Sequence, residues 1–209
     1  MQPPPVRQCF RGADYQAVLN DMRRFTELRS EQTPDELWQV EHLPVFTLGQ
    51  AGKQEHLLNP GNIPVVVTER GGQVTYHGPG QVVIYTLVDL RRQNIFVREW
   101  VCHLEQAMIN TLARFSIQGA CRKPTAPGVY VPESGGLSKI GAVGLKVSRG
   151  RAYHGIALNV EMDLSPFQRI NPCGYPGLRT VDMATMGSHP TWQDVANYLC
   201  DQIEIQPSP

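Results

Sequence analysis

Three short segments carry residues whose types and spacing suit chemistry. In Asn171-Pro172-Cys173-Gly174-Tyr175 a cysteine stands between a proline and a glycine. Such neighbours put it in a turn, not in a helix or strand interior, and turns present reactive side chains. A thiol is a nucleophile only as the thiolate, and only a few per cent of an unperturbed thiol is ionised at neutral pH. A nearby basic group would therefore be needed. The second segment, Ser138-Lys139-Ile140-Gly141-Ala142-Val143-Gly144-Leu145-Lys146, sets Lys139 in an apolar, glycine-rich strand. A lysine there is either edge protection or a desolvated amine suited to proton transfer. Lys146, near Arg149 and Arg151, reads as solvated. The third segment, Glu69 to Gly80, holds four glycines in twelve residues. Glycine lets a ligand touch the backbone, and loop amides can stabilise a developing oxyanion. A plain glycine-rich hairpin accounts for the same composition.

Other candidates rank lower. Cys102 and Cys200 fall within expected helices and Cys9 lies near the N-terminus, where a cysteine reads as a small packing residue. Cys121 sits beside Arg122 and Lys123 but adjoins no oxyanion-forming loop. His77 and His154 each precede a glycine. His77 reads as a residue that shapes the site by hydrogen bonding, and the spacing of His77, His154 and Cys173 matches no metal pattern.

These segments need a scaffold. Tyr15, Val18, Leu19, Met22, Phe25 and Leu28 recur at helical spacing and predict a helix over about 14–30. Trp100, Leu104, Met108, Leu112 and Phe115 predict another over about 97–115. A third is expected over about 192–203, with Thr191 and Asp194 close to a capping box. Strands are expected at 37–48, 63–68, 81–90, 128–131, 138–147 and 153–160, the last two joined by a hairpin turn at Ser148-Arg149-Gly150-Arg151. Gln81 to Leu90 is nearly all apolar or β-branched and suits a central strand. Helices and strands mix without strict alternation. The expected class is α+β, with a mixed, largely antiparallel sheet flanked by helices.

Composition bounds the rest. The 209 residues allow one substantial core, and a single domain is expected over 1–209. Lys plus Arg and Asp plus Glu are 19 each. A neutral chain argues against nucleic acid or an anionic membrane as the main partner. The 19 glycines and 17 prolines exceed the roughly 12% share usual in soluble domains, so much of the backbone must turn. No apolar run approaches the ~20 residues of a membrane span. Met1 to Arg7 lacks the basic-then-apolar order of a secretory signal, so a cytoplasmic location is expected. Five widely spaced cysteines without C-x-x-C argue against a disulfide framework or structural zinc. Pro3-Pro4-Pro5 and Pro207-Ser208-Pro209 read as frayed ends.

Four strings, in order, resemble one family: Arg70-Gly71-Gly72-Gln73-Val74-Thr75-Tyr76-His77-Gly78-Pro79-Gly80-Gln81, Lys139-Ile140-Gly141-Ala142-Val143-Gly144, Tyr153-His154-Gly155-Ile156-Ala157-Leu158-Asn159-Val160 and Ile170-Asn171-Pro172-Cys173-Gly174. They look like the lipoyl(octanoyl) transferases of lipoate biosynthesis, in the biotin/lipoate protein ligase superfamily, most strongly from about Phe46 to Tyr175. The resemblance implies that superfamily's catalytic-domain fold, with a core over about 30–205 and the helix at about 14–30 packed on it. It implies Cys173 as acyl-thioester nucleophile with Lys139 as its partner. It also implies acyl-binding segments at Arg70–His77, at Ala142, Val143 and Gly144, and at Gly155, Ile156 and Ala157. No departure from the family pattern stands at those positions.

The implied reaction moves an octanoyl group from acyl carrier protein to a lysine of lipoyl domains in 2-oxoacid dehydrogenases and the glycine cleavage H protein. The donor thioester, on phosphopantetheine, is already energised, so no ATP and no metal or other cofactor is expected. Lys139 as ammonium would stabilise the Cys173 thiolate and as amine would take its proton; the two titrate together. Gly141, Ala142 and Gly144 leave room for an acyl slot lined by Val143, Ile156 and Leu158, although tight strand packing explains the same residues. Arg91-Arg92, Arg122-Lys123 and Arg149-x-Arg151 are candidate docking patches for acidic partners, or ordinary solvated turns. Two rivals remain: an ATP-dependent lipoate or biotin ligase, which has no need of the thiol, and a non-catalytic relative that only holds acylated protein. A papain-like thiol hydrolase would be expected to activate its cysteine with a histidine.

Overall fold

The computed structural model describes residues 4–124 and 126–203; Pro3 and Pro207-Ser208-Pro209 lie outside them. Local signals set the helices. The Asp14 carboxylate accepts the Ala17 amide at 2.8 Å and caps α1 (Tyr15–Leu28). Tyr15, Val18, Leu19 and Met22 are buried as the spacing predicts, whereas Leu28 is exposed. In α2 (Val97–Arg114) Trp100, Leu104, Met108 and Leu112 form the buried stripe, and the Glu99 carboxylate accepts the Phe96 amide. In α3 (Trp192–Ile203) the Thr191 hydroxyl accepts the Asp194 amide and donates to its carboxylate. The return bond therefore goes to a hydroxyl, not to a backbone amide as in a full capping box.

The strands are β1 (Val6–Ala13), β2 (Glu36–His42), β3 (Val45–Leu48), β4 (Val65–Val67), β5 (Val74–His77), β6 (Gln81–Asp89), β7 (Cys121–Arg122), β8 (Val129–Glu133), β9 (Gly136–Ser148) and β10 (Arg151–Asn159). Seven form one sheet in the order β1-β2-β6-β10-β9-β8-β7; β4-β3-β5 form a second. In the large sheet only β1 and β2 run parallel; every other pair is antiparallel. The class is α+β with a mixed, largely antiparallel sheet, as expected.

β6 is buried along its whole length and lies inside the sheet. Side chains alternate across a strand, so Val82, Ile84 and Val88 enter the core under α2 and α3, and Val83, Tyr85 and Leu87 enter the core under α1. The β9–β10 hairpin closes at Arg149 (φ 52) and Gly150 (φ 79), the positive pair that a two-residue turn requires.

Two expectations fail. The run 37–48 is two strands in two sheets: β2 ends at His42, and Leu43-Pro44 redirects the chain into β3. Proline has no amide to continue a ladder, so the break falls there. The N-terminal segment, in turn, is more than a packed helix. β1 is an edge strand on β2, half exposed and weakly patterned, and so invisible to apolar periodicity.

Candidate active site

The glycine-rich segment is folded around a buried cation. The Arg70 guanidinium donates from Nη2 to the Thr47 and Gln73 carbonyls (2.8 Å each) and to Thr47 Oγ1 (2.9 Å), and from Nη1 to the Gly71 carbonyl at 2.8 Å. Arg70 is only 8% exposed, and burial pulls its pKa below the usual arginine value. From this clamp the chain enters β5, antiparallel to β3.

Cys173 lies in a one-turn 3-10 segment, Pro172–Gly174, at φ 57 and ψ 18. That left-handed conformation is strained for a residue with a side chain. Bonds on both flanks hold it: the Asn171 amide donates to the His56 carbonyl (2.8 Å) and the Gly174 amide to the Asn171 carbonyl (2.9 Å). Lys139, on β9, is 5% exposed. Its Nζ donates to Cys173 Sγ at 2.9 Å and to the Pro127 carbonyl at 3.0 Å, and lies 5.3 Å from the Tyr130 ring centre. The backbone brings the two residues together. The Lys139 amide donates to the Arg179 carbonyl and the Val181 amide donates to the Lys139 carbonyl, 2.9 Å each, tying the chain after Cys173 against β9.

Cys173 opens on an open-sided pocket with about 490 Å³ of empty space, part of it open to solvent. Arg70, Gly72, Gln73, Val74, Thr75 and His77 line it from the glycine-rich segment. Ala142, Val143 and Gly144 line it from β9, and Gly155, Ile156 and Ala157 from β10. On its other side Cys173 borders a smaller cleft, also lined by Lys139, Thr75 and Ala142.

Several expected residues lie elsewhere. The Tyr76 ring packs with Phe46 and Phe167, at 5.5 Å from each, away from the pocket. The Gly71 amide is used by the Leu145 carbonyl at 2.8 Å, and Gly71 does not line the pocket. Leu158 is buried in the core under α2 and α3. Gly141 lines the smaller cleft and not the larger pocket; it is pressed against Met108, so a Cβ there would come 2.7 Å from its sulfur. Cys121 pairs with Tyr130 across β7 and β8 and reaches neither cavity.

Tyr15, Val83, Tyr85 and His154 line the pocket without having been singled out as ligand contacts. Tyr15, Val83 and Tyr85 read as ordinary core residues in the sequence; His154-Gly155 was the one available signal. His154 sits at φ 61 inside β10, interrupting the ladder to β6 between Ala152 and Gly155. Behind the pocket, His42 Nε2 meets the Tyr85 hydroxyl at 2.7 Å and His77 Nδ1 meets Gln81 Oε1 at 2.7 Å. Burial, with the facing cations adding to it for His77 and His154, lowers these histidines: His42 to about 4, His77 and His154 to about 3. All three are neutral at pH 7, and the His77 ring is hydrogen-bonded to Gln81. Glu69 closes this network. Burial opposes its ionisation, but Arg23, bonded at 2.5 and 2.8 Å, and the Tyr153 hydroxyl outweigh it and lower the carboxyl to about 2.

Among the described residues, no cluster of three or more His, Cys, Asp or Glu side chains is placed to hold a metal ion, and no helix is long and apolar enough to cross a membrane. None of the five cysteines is disulfide-bonded. One cation of each basic patch is held internally. Arg92 is held by Asp35 and the Glu31 and Thr33 carbonyls, Arg122 by Glu105 and the Cys102 carbonyl, and Arg151 by Asp89.

The family model described as the lipoyl protein ligase A/B catalytic domain matches residues 14–204. An octanoyltransferase from Bordetella petrii is 63% identical over 200 residues, covering 95% of this chain and 94% of the relative. One from Variovorax paradoxus is 52% identical over 210 residues, covering 92% of each. A solved bipartite lipoate protein ligase, studied with its E2 lipoyl domain from Thermoplasma acidophilum, shares 15% identity at a TM-score of 0.74, covering 95% of this chain and 82% of that one. That last likeness is one of fold alone. A chain matched over nearly its full length by this family model, and at more than half identity by octanoyltransferases, belongs to the lipoyl protein ligase A/B catalytic-domain family.

Proposed function

We propose that this protein is a single catalytic unit that transfers an octanoyl group from the phosphopantetheine thioester of an acyl carrier protein to a lysine amine of a lipoyl domain, through a thioester on Cys173. The carrying observation is the 2.9 Å contact between Lys139 Nζ and Cys173 Sγ at the edge of a pocket built from three small-residue segments. The octanoyl tail lies along Val74, Ala142, Val143 and Ile156. Burying its seven tail carbons contributes up to about 5 kcal/mol.

In the first half-reaction the Cys173 thiolate attacks the thioester carbonyl. The carbon–sulfur bond to phosphopantetheine breaks, and the leaving thiolate takes the proton of the Lys139 ammonium, which leaves Lys139 as a neutral amine. In the second, the acceptor lysine amine attacks the Cys173 thioester. An amide forms, the Cys173 thiolate is released, and Lys139 accepts the proton of the attacking nitrogen. Thioester exchange is nearly isoenergetic, so a thiol relay divides the transfer without ATP. An adenylate-forming ligase has no use for a thiol facing its acyl group, which favours transfer over ligation. The acceptors are lipoyl domains such as those of 2-oxoacid dehydrogenases and the glycine cleavage H protein.

The test is intact-mass and peptide analysis after incubation with octanoyl carrier protein and no ATP. One octanoyl group on Cys173, absent in Cys173→Ala, is expected. An octanoyl thioester on Cys173→Ala, or transfer that requires ATP, would overturn the reading.

A further inference from the structure

Glu105 is a buried carboxylate on α2, 5% exposed and outside both cavities that border Cys173. Its Oε1 accepts the Gly128 amide at 2.8 Å. The carbonyl of that same peptide unit, Pro127 O, accepts Lys139 Nζ at 3.0 Å. One peptide group is thus held between a carboxylate and the catalytic amine. Hydrogen bonds in series polarise one another: a carboxylate pulling on the N–H makes the C=O a stronger acceptor and brings part of its charge to Lys139.

The surroundings keep this geometry. Gly128, at φ 128, presses its backbone on the lysine, and a Cβ there would meet Lys139 Cε at 2.8 Å, Nζ at 2.9 Å and Gly141 O at 2.6 Å. The Tyr130 hydroxyl donates to the Ala126 carbonyl at 3.0 Å, anchoring the same loop from β8. Arg122, 3.3 Å from Glu105 Oε2, holds the carboxylate from β7.

We propose that Glu105 is a positioning residue that acts through the Pro127–Gly128 peptide to orient Lys139 and favour its ammonium form beside the Cys173 thiolate. The inference rests on the Cys173–Lys139 reading above. Other charged or titratable groups also face the pair: Tyr130, Lys123 over the Tyr130 ring, Arg70 across the pocket, Tyr175 and His56 beside the cysteine turn, and the Arg179–Glu133 pair. Glu105 bonds to the N–H of the Pro127–Gly128 peptide and Lys139 to its C=O, so a change at Glu105 tests the relay.

Glu105→Gln keeps the volume and an amide oxygen for the Gly128 amide but removes the charge. The experiment measures the pH profile of Cys173 alkylation by iodoacetamide, resolved by peptide mass spectrometry, together with kcat and KM for octanoyl carrier protein. The expected result is a profile displaced to higher pH by on the order of half to one unit, a three- to tenfold lower kcat and an unchanged KM. A purely structural Glu105 leaves the Gln profile superimposable on that of the parent and lowers activity only in Glu105→Ala, and that result overturns the inference. Lys139→Met separates the two readings. If it leaves the profile unmoved, the Cys173–Lys139 pair itself fails. If it displaces the profile and Glu105→Gln does not, only the relay fails.

Discussion

Three histidines folded in their neutral form make stability fall steeply with acid. Native His42 sits at about 4 and His77 and His154 at about 3, chiefly through burial, against 6.5 when unfolded. Because the native values are depressed, the unfolded chain binds more protons between those limits. The stability is fully present above pH 6.5 and is lost as pH falls toward 4. From about pH 7.5 to about pH 5.5, each histidine removes about 1.4 kcal/mol, and the three together about 4 kcal/mol. A domain with a total of 5–15 kcal/mol loses a large fraction of it. Glu69, lowered to about 2, loses its contribution only at more acid pH, outside this window. The assay is urea unfolding at fixed pH values across the range. His42→Gln should remove about one third of the slope, since His42 is one of the three depressed rings; its Nδ1–H donates to the Ala13 carbonyl and its Nε2 meets the Tyr85 hydroxyl. Stability that stays level from pH 7.5 to 5.5, or a variant slope equal to that of the parent, would show that these rings are not neutral in the folded protein.

The pocket and its clamp give two more tests. A Cβ at residue 144 would come 3.2 Å from Arg70 Cδ and from the Gly71 carbonyl; Gly144→Val should therefore lower kcat/KM for octanoyl donors on the order of tenfold while sparing butanoyl donors, and equal losses for both chain lengths would place the acyl tail elsewhere. Arg70→Met strands the Thr47 and Gln73 carbonyls in a buried loop; a loss of about 3 kcal/mol in chemical denaturation is expected, and a loss under about 0.5 kcal/mol would mean that water replaces the guanidinium.

The sequence by itself determined the elements whose information is local. The Tyr15-to-Met22 spacing sets the buried face of α1, the Trp100-to-Leu112 stripe that of α2, Arg149-Gly150 closes the β9–β10 hairpin, and a Pro-Cys-Gly triplet can only be a turn. The order of four motifs was enough to name the family and to nominate Cys173 and Lys139. Weakly patterned β1 and the change of sheet at Pro44 escaped, because an exposed edge strand has no apolar period and a proline does not say where the chain goes next. Tertiary structure alone decided the rest. The thiol and the amine are 34 residues apart and meet only because the chain after Cys173 bonds to β9. Which of two buried faces of β6 meets the pocket depends on packing, so Val83 and Tyr85 could not be told from Val82 and Ile84. Glu105 looks like any helical glutamate until the Pro127–Gly128 peptide is laid against it. Spacing encodes contacts within an element, while contacts between elements follow from how the sheet and helices bury their surfaces together.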